Sequence, residues 1–225
     1  MEHSMYDTLL QLPLFQGLCK DDFTTIIEKV KFHFLNYKEN DIIRNQGDTC
    51  NQLVFLLSGE ITQKVANEEE GYTLSETLHA PHIIEPYSLF GMDTRYTATY
   101  LAKTDATLLT IDKAYVYTEL NNYEIFRLNY LNILSNRIQV SHKKLWSNHM
   151  SSLNEKFVYF LLDRCLKPQG DKVLNITMED LARIVNETRI NVSRMLNDMH
   201  QQGLIQLKRK EIYIPALEKL TESLI

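Results

Sequence analysis

The sequence predicts an α+β fold with three parts: an N-terminal β-roll with short leading helices (residues 1–120), a long helix (121–149) and a C-terminal winged helix-turn-helix (150–225). Three observations predict this fold. Between residues 32 and 111 the apolar pattern has a period of two and turn residues recur, which indicates many short strands. Residues 115–149 show helical spacing without proline or glycine. The last third carries two short amphipathic helices followed by a basic hairpin.

The first element is a pair of short helices around a turn within residues 8–32. The apolar pattern breaks over residues 12–17, which include Pro13 and Gly17, and resumes from Asp21 to Val30 at helical spacing. The strands that follow are separated by turn signals at residues 39–41, 46–48, 58–59 and 67–71. The acidic run at 68–70 beside Gly71 is typical of a solvated hairpin tip.

The long helix carries a narrow apolar seam at three-four spacing. The seam consists of Leu131, Leu134, Ile138, Ser141 and Leu145. A parallel partner helix is the simplest use of such a seam, and packing on the chain's own β-domain is the alternative. The sequence therefore predicts a homodimer interface here.

Composition excludes several classes of protein. The net charge is −5, yet residues 151–225 carry 11 Lys and Arg against 10 Asp and Glu, so a nucleic-acid surface belongs in the last third. Apolar runs are too short for a membrane span or a signal peptide, which predicts a cytoplasmic protein. The three cysteines form no Cys-x-x-Cys pair, which argues against a disulfide framework. Walker loop, dinucleotide fingerprint and hydrolase motifs are absent from the sequence, so we expect no enzyme.

The helix-turn-helix begins at Thr177, whose hydroxyl can cap the first free amides, with Asp180 in the favourable first turn. Asn186 follows this helix and is one of the few residues besides glycine that accept the left-handed conformation of a tight turn. A second helix begins near Thr188. Its inward face is predicted to hold Val192, Met195, Leu196 and Met199.

The outward face of the second helix carries the prediction of DNA binding. Arg189 and Arg194 can each donate two hydrogen bonds to guanine in the major groove. Short polar side chains beside them suit phosphate oxygens, and residues 203–215 are predicted to form a hairpin whose basic tip can contact the DNA backbone. The predicted DNA-binding residues are Thr177, Thr188, Arg189, Ile190, Asn191, Ser193, Arg194, Lys208 and Arg209.

With its parts in this order, the chain resembles the cyclic-AMP receptor / fumarate-nitrate regulator (CRP/FNR) family of bacterial transcription factors. The matching segments are residues 12–18, 46–48, 53–59 and 181–196. The resemblance implies a cyclic-nucleotide-binding-like (cupin-like) β-roll that senses a signal and a homodimer that binds a near-palindromic site in double-stranded DNA. RNA polymerase is the further partner if the protein is an activator.

The family's nucleotide cassette carries a Gly-Glu pair and, further on, an Arg followed by Ser or Thr. Here Glu85 matches, but Ile84 replaces the glycine, and the alignment puts Tyr96 at the Arg position with Thr97 after it. A phosphate would lose its charge-assisted bidentate partner, so the effector is expected not to be cAMP. A one-residue shift that returns Arg95 to this site is the alternative. The candidate effector pocket comprises Glu85, Arg95, Tyr96 and Thr97.

The resemblance raises two possible cofactors, an iron–sulfur centre and haem. The cysteine cluster that would hold an iron–sulfur centre is absent from the sequence. The pattern is also similar to regulators of the hybrid-cluster protein, a nitrosative-stress branch, and this resemblance implies haem and nitric oxide sensing. His149, Met150 or His142 is then the candidate ligand.

One departure concerns DNA readout. The family's usual recognition stretch carries Arg-Glu, whereas this chain has Arg189-Ile190. Glutamate accepts from the amino group of cytosine, and isoleucine can contact only a thymine methyl. The half-site is therefore expected to differ at the position that faces Ile190. The competing function is a ligand-independent or protein-regulated DNA-binding dimer whose β-domain is only a platform.

Overall fold

Short antiparallel strands build the N-terminal part of the computed structural model, which describes residues 9–146 and 152–223. The strands are β1 His33–Tyr37, β2 Ile42–Arg44, β3 Gln52–Ser58, β4 Glu60–Asn67, β5 Tyr72–His79, β6 His82–Ile84, β7 Thr99–Ala102, β8 Ala106–Asp112, β9 Lys172–Ile176, β10 Gln206–Lys208 and β11 Glu211–Ile214. The helices are α1 Lys20–Lys29, α2 Lys113–Thr118, α3 Glu124–Trp146, α4 Leu153–Arg164, α5 Met178–Ile184, α6 Arg189–Gln201 and α7 Leu217–Glu222. Short 3₁₀ turns lie at Pro86–Ser88 and Leu120–Asn122.

The chain forms two units, which we describe separately. The first runs to Ile61 and resumes over Leu78–Leu145. In its four-stranded sheet the strand order is β1-β8-β3-β6, and β2 pairs with β7. Phe15, from the apolar turn before α1, packs against Phe23 and Phe55 with ring centroids 5.5 and 5.7 Å away. Burial of these rings closes the end of the β-domain.

The helical stretch after the β-domain is interrupted, whereas the sequence predicts one continuous helix from residue 115. After α2, Leu120 is fully buried in a 3₁₀ turn and Tyr123 is extended before α3 begins. The side chain of Asn122 donates to the carbonyl of Thr118 at 2.7 Å. This contact satisfies one of the free carbonyls at the end of α2, which is why the chain can turn here without a glycine or proline. Helix α3 then runs for 23 residues.

The second unit holds Thr62–Thr77 together with the chain from Trp146 onward. Helices α4, α5 and α6 share a core with β9 and β11, in which Phe157, Leu181 and Leu196 are fully buried. Ser152 and Glu155 form a capping box at the start of α4, so the sequence specifies where this helix begins.

The hairpin of β4 and β5 belongs to the second unit, whereas the sequence predicts it as part of the β-roll of residues 1–120. Strand β5 pairs antiparallel with β9, with Tyr72 opposite Ile176 and Glu76 opposite Lys172. The resulting strand order is β10-β11-β9-β5-β4. Tyr72 and Leu74 also join the core of this unit. The hairpin is therefore a structural part of the helix-turn-helix unit.

Buried charges fix this strand pair. Lys172 is 2% exposed and Glu76 is 4% exposed, and the ammonium lies 3.4 Å from the carboxylate. Lys172 also donates to the carbonyl of Gln169 at 2.7 Å, and Glu76 accepts from the amides of Leu166 and Lys167 at 2.5 and 3.2 Å. Because both charges are paired and hydrogen-bonded, their burial is tolerated, and removal of either one leaves an uncompensated charge.

The acidic tip of the hairpin is only partly solvated. Glu70 accepts from the guanidinium of Arg164 at 3.2 Å, and that guanidinium also donates to the Tyr72 hydroxyl at 2.8 Å. Gly71 has a positive φ of 72°, and a Cβ atom there would lie 2.9 Å from the carboxylate of Asp180, which would have to shift. The backbone conformation therefore favours glycine at this position. Glu68 and Glu69 are exposed, as expected for a solvated tip, whereas Glu70 is half-buried and engaged by Arg164.

Within the described residues, no helix is both long and apolar enough to cross a membrane.

Candidate nucleic-acid interface and effector site

The helix-turn-helix forms from local signals that are all present in the structure. The hydroxyl of Thr177 accepts from the amide of Asp180 at 3.1 Å and caps α5. Asn186 has a φ of 51°, the predicted left-handed turn residue. The hydroxyl of Thr188 accepts from the amide of Asn191 at 3.2 Å and caps α6. Each cap satisfies an amide in the first turn of its helix and so fixes where α5 and α6 begin.

Helix α6 presents two faces, as the sequence predicts. Its inward face is buried and consists of Val192, Met195, Leu196 and Met199. The opposite face is open: Arg189, Arg194 and Asn197 are exposed, and the side chain of Ile190 is 70% exposed. The open face of α6 therefore presents two arginines and one isoleucine to solvent.

The two arginines differ in their surroundings. The guanidinium of Arg189 lies 3.1 Å from the carboxylate of Glu179 on α5. Arg194 makes no ion pair with any residue that the structure describes. Arg194 is therefore available as it stands, whereas Arg189 must leave Glu179 before it can contact another group. The ion pair between Arg189 and Glu179 was not predicted, because it joins two helices.

The short polar side chains predicted to hold phosphate are already engaged within the unit. The Thr177 hydroxyl donates to the carboxylate of Asp180 at 2.6 Å. The side-chain amide of Asn191 donates to Glu187 at 3.3 Å, and Lys156 donates to the same carboxylate at 3.3 Å. Hydrogen bonds from Asn191 and Lys156 hold the pKa of Glu187 below its ordinary value. Ser193 is half-buried and its hydroxyl lies 3.5 Å from the side-chain amide of Asn197.

The wing is a hairpin of β10 and β11 with a two-residue turn. The turn residues are Arg209 and Lys210, both exposed, and Lys210 has a positive φ of 60°. Lys208 lies 2.9 Å from Glu211, and this hydrogen bond raises the pKa of Lys208 above its ordinary value. The predicted basic tip is thus present, with Lys208 partly neutralised by its neighbour.

The predicted effector residues are divided by the structure. The carboxylate of Glu85 is 3% exposed and accepts from the amide of Thr97 at 2.8 Å and from the Thr97 hydroxyl at 2.9 Å. It also accepts from the amide of Ala98 at 3.1 Å, the Tyr100 hydroxyl at 2.9 Å and the Ser88 hydroxyl at 2.8 Å. Glu85 and Thr97 are therefore in direct contact.

Tyr96 and Arg95 lie elsewhere. The Tyr96 ring is buried, 6.4 Å from the Tyr100 ring, and burial raises the pKa of the phenol above its ordinary value. Arg95 is exposed and pairs through its backbone with Thr49. Neither its side chain nor that of any other described lysine or arginine lies within ion-pair distance of Glu85. The alternative in which Arg95 occupies the phosphate site stays a prediction.

The described residues of the α3 seam are mostly exposed to solvent. Leu131 is 57% exposed and Ile138 is 68% exposed, while Leu134 is half-buried and Ser141 is exposed. Packing on the chain's own β-domain thus does not cover this face. The side chain of Leu145 lies outside the described residues. So do His149 and Met150, whereas His142 is exposed on α3. Among the described residues, no three His, Cys, Asp or Glu are placed to hold a metal ion.

Comparison with known proteins identifies both parts of the chain. Residues 34–123 match the model of the cyclic nucleotide-binding domain, and residues 155–223 match the Crp-like helix-turn-helix domain. The cAMP-activated global transcriptional regulator Vfr of Pseudomonas aeruginosa is 23% identical over 191 residues, which is 81% of this chain and 89% of Vfr. The cAMP-activated global transcriptional regulator CRP of Salmonella typhimurium is 23% identical over 190 residues, with the same two coverages.

Among solved structures, the catabolite activator protein of Thermus thermophilus is similar in fold. The TM-score is 0.55 at 20% identity, over 95% of this chain and 100% of that protein. The predicted fold class is confirmed: a β-rich cyclic-nucleotide-binding-type domain precedes a Crp-like helix-turn-helix.

Proposed function

We propose that this chain, a DNA-binding transcription regulator of the CRP/FNR type, reads a near-palindromic operator as a homodimer, with α6 of each copy in the major groove. The observation that carries the proposal is the exposed face of α6. Two arginines and an isoleucine stand in solvent there, opposite a fully buried apolar face. A recognition helix needs this division, because it must be held rigidly by one face while the other meets base edges.

Each outward side chain suits a distinct group of the base pairs. Arg194 and Arg189 can donate bidentate hydrogen bonds to O6 and N7 of guanine. Ile190 has no polar atom and is 70% exposed, so the favourable contact for it is the methyl group of thymine. We therefore propose a half-site with a thymine at the position facing Ile190, which differs from a half-site read by glutamate.

Contacts to phosphate fix the position of α6 without reading sequence. The hydroxyl oxygen of Thr188 accepts a hydrogen bond from the amide of Asn191. The hydroxyl proton can then donate to a phosphate oxygen. Thr177, Asn191 and Ser193 are further candidates, once their internal hydrogen bonds exchange. On the wing, Lys208 and Arg209 lie at the tip of the hairpin and supply cations beside the groove.

The open seam of α3 supports the homodimer. Exposed leucine and isoleucine side chains recur along one face of a 23-residue helix, and a second copy of the same helix can bury them. A two-fold dimer places two identical recognition helices on the two halves of a palindrome. RNA polymerase is the further partner if the protein activates transcription.

The effector is proposed to be something other than cAMP. The family's arginine position holds the buried Tyr96, and no described lysine or arginine forms an ion pair with Glu85. Sensing of nitric oxide through haem remains a prediction from the resemblance to the nitrosative-stress branch. Regulation without a small ligand is the second candidate, and the internal hydrogen bonds of Glu85 favour it.

The test of DNA readout compares three variants on two DNAs. Arg194→Ala should weaken binding to an operator selected from random DNA by about 1–3 kcal/mol and leave binding to scrambled DNA close to that of the control. Lys208→Ala should weaken both DNAs alike and reduce the slope of log affinity against log salt by about 1. Lys31→Ala, an exposed lysine of the first unit, is the charge-matched control. Equal losses on both DNAs for Arg194→Ala would show that it does not read sequence.

A further inference from the structure

The carboxylate of Glu85 is surrounded by more hydrogen-bond donors than a structural carboxylate needs. Five groups donate to it: two backbone amides, two aliphatic hydroxyls and one phenol. We refer to these five groups, from Ser88, Thr97, Ala98 and Tyr100, as the donor cradle. All the donors are neutral, all converge on one pair of oxygens, and the site is 3% exposed. The cradle is therefore built to hold an anion.

We infer that Glu85 is the resident anion of the β-domain: its side chain fills the cradle that the anionic group of a small-molecule effector would otherwise occupy. The inference deepens the proposed function, because it gives a physical reason for an effector other than cAMP, and it rests on that function only for its regulatory meaning. Both oxygens are used. One accepts from Ala98, Tyr100 and the Thr97 hydroxyl, and the other from Ser88.

The backbone at Glu85 is shaped to deliver the side chain into the cradle. Glu85 has φ 37° and ψ 56°, a left-handed conformation that non-glycine residues seldom adopt. The 3₁₀ turn Pro86–Ser88 follows immediately, and the amide of Ser88 donates to the carbonyl of Glu85 at 3.0 Å. Such a conformation persists only where the surroundings over-determine it. Here the surroundings are the five donors.

Charge does not compete with this arrangement. Arg44, a cation of the same domain, donates to the carbonyl of Ile43 at 2.6 Å and to the side chain of Gln52 at 3.2 Å. Arg95 is exposed. Within the described residues no lysine or arginine forms an ion pair with Glu85, so the carboxylate is held by neutral dipoles alone. Dipoles of this kind bind whichever anion fits, and a second anion would meet the charge of Glu85.

An effector that carries a phosphate must therefore expel Glu85 before it can use the amides of Thr97 and Ala98. Expulsion leaves a carboxylate without its five donors, and the phosphate gains no arginine in exchange. The native state of the site is thus the self-occupied one. A phosphate-bearing ligand therefore does not suit this site. An external anion can enter the cradle without displacing Glu85 only where the side chain of Glu85 has been removed by mutation.

Chemical rescue tests the inference. Glu85→Ala removes the same heavy atoms that make up acetate, so acetate should bind in the emptied cradle of the full-length variant. Thermal unfolding should show a lower Tm for the variant, and acetate at a hundredfold excess over its Kd should raise that Tm by about 5–10 °C. Wild type and Glu39→Ala, an exposed glutamate of the same unit, should show no such rise. Sodium chloride at equal ionic strength is the salt control.

Two results would overturn the inference. One is an equal acetate response in wild type, Glu39→Ala and Glu85→Ala, which would mark a general solvent effect. The other is a folded Glu85→Ala chain whose Tm does not respond to acetate. Glu85→Gln provides a milder variant, because its amide keeps one acceptor oxygen and fills the space; it should be less destabilised than Glu85→Ala and unresponsive to acetate.

A measurement on the wild-type chain keeps the inference testable even where Glu85→Ala does not fold. Calorimetric titration with cAMP should give no binding, whereas micromolar binding would show that the cradle accepts a nucleotide phosphate. DNA binding is measured separately on the same preparations. If acetate does not raise the Tm of folded Glu85→Ala while the wild-type chain binds an operator, only the resident-anion inference is refuted. If the wild-type chain does not bind an operator, only the proposed function is refuted.

Discussion

Replacement of Glu179 by glutamine should tighten DNA binding. In the free protein the carboxylate of Glu179 lies 3.1 Å from the guanidinium of Arg189, and the side chains are 64% and 69% exposed. An ion pair that exposed contributes about 0.2–1 kcal/mol. Arg189 must forgo this energy when it turns to a base or a phosphate. Glu179→Gln removes most of that cost, so affinity should rise about 1.4- to 5-fold for each half-site, or about 2- to 30-fold for a dimer on its operator.

A double-mutant cycle isolates the cause. Operator affinity is measured by fluorescence anisotropy at fixed salt for wild type, Glu179→Gln, Arg189→Ala and the double variant. If the gain arises because Arg189 is freed, Glu179→Gln should have little effect once Arg189 is absent. Weaker binding by Glu179→Gln would show that the carboxylate itself contacts a base. An equal gain in both backgrounds would show that only the repulsion of phosphate by Glu179 matters.

Three further predictions concern stability, assembly and cofactor. Lys172→Met should lower the free energy of unfolding by about 3–5 kcal/mol in urea titrations, because Glu76 stays buried without its partner; Lys64→Met, the same change at an exposed position of the hairpin, should cost almost nothing. Ile138→Asp should convert the dimer to monomer in sedimentation and abolish tight operator binding, and an unchanged dimer would place the interface elsewhere. Protein purified with haem available should show a Soret band if the haem prediction is correct, and no band would count against gas sensing.

The helix-turn-helix could be predicted from sequence because its signals are local. A threonine cap, a left-handed asparagine and the spacing of buried residues on α6 lie within one stretch of chain, and each is set by the backbone next to it. The wing was predictable for the same reason, since its two turn residues sit between two alternating strands.

Long-range contacts could not be predicted. Strand β5 pairs with β9 about a hundred residues later, and a period of two shows that a strand exists without showing its neighbour. The buried pair of Glu76 and Lys172 therefore had no signal in the sequence. The break before α3 was missed because Asn122 ends α2 through a side-chain hydrogen bond, without glycine or proline.

Glu85 shows the limit most clearly. The sequence indicated a residue of the effector pocket, and the structure does place it beside Thr97. Two of the donors to its carboxylate are the backbone amide of Ala98 and the hydroxyl of Tyr100. The first depends on the direction of the backbone, and the second on the burial of the phenol. Neither property can be read from residue types. Its place in an effector pocket stays a prediction, and its hydrogen-bonding state required the structure.

Selection of binding sites from a random DNA pool tests the central claim, that the outward face of α6 reads the operator. The wild-type chain should enrich a near-palindrome whose half-sites lie about 10–10.5 base pairs apart or a multiple of that, with thymine at the position facing Ile190. Ile190→Glu should change that one position in both half-sites and leave the rest of the sequence intact. No enriched sequence, or the same sequence from both proteins, would contradict the claim.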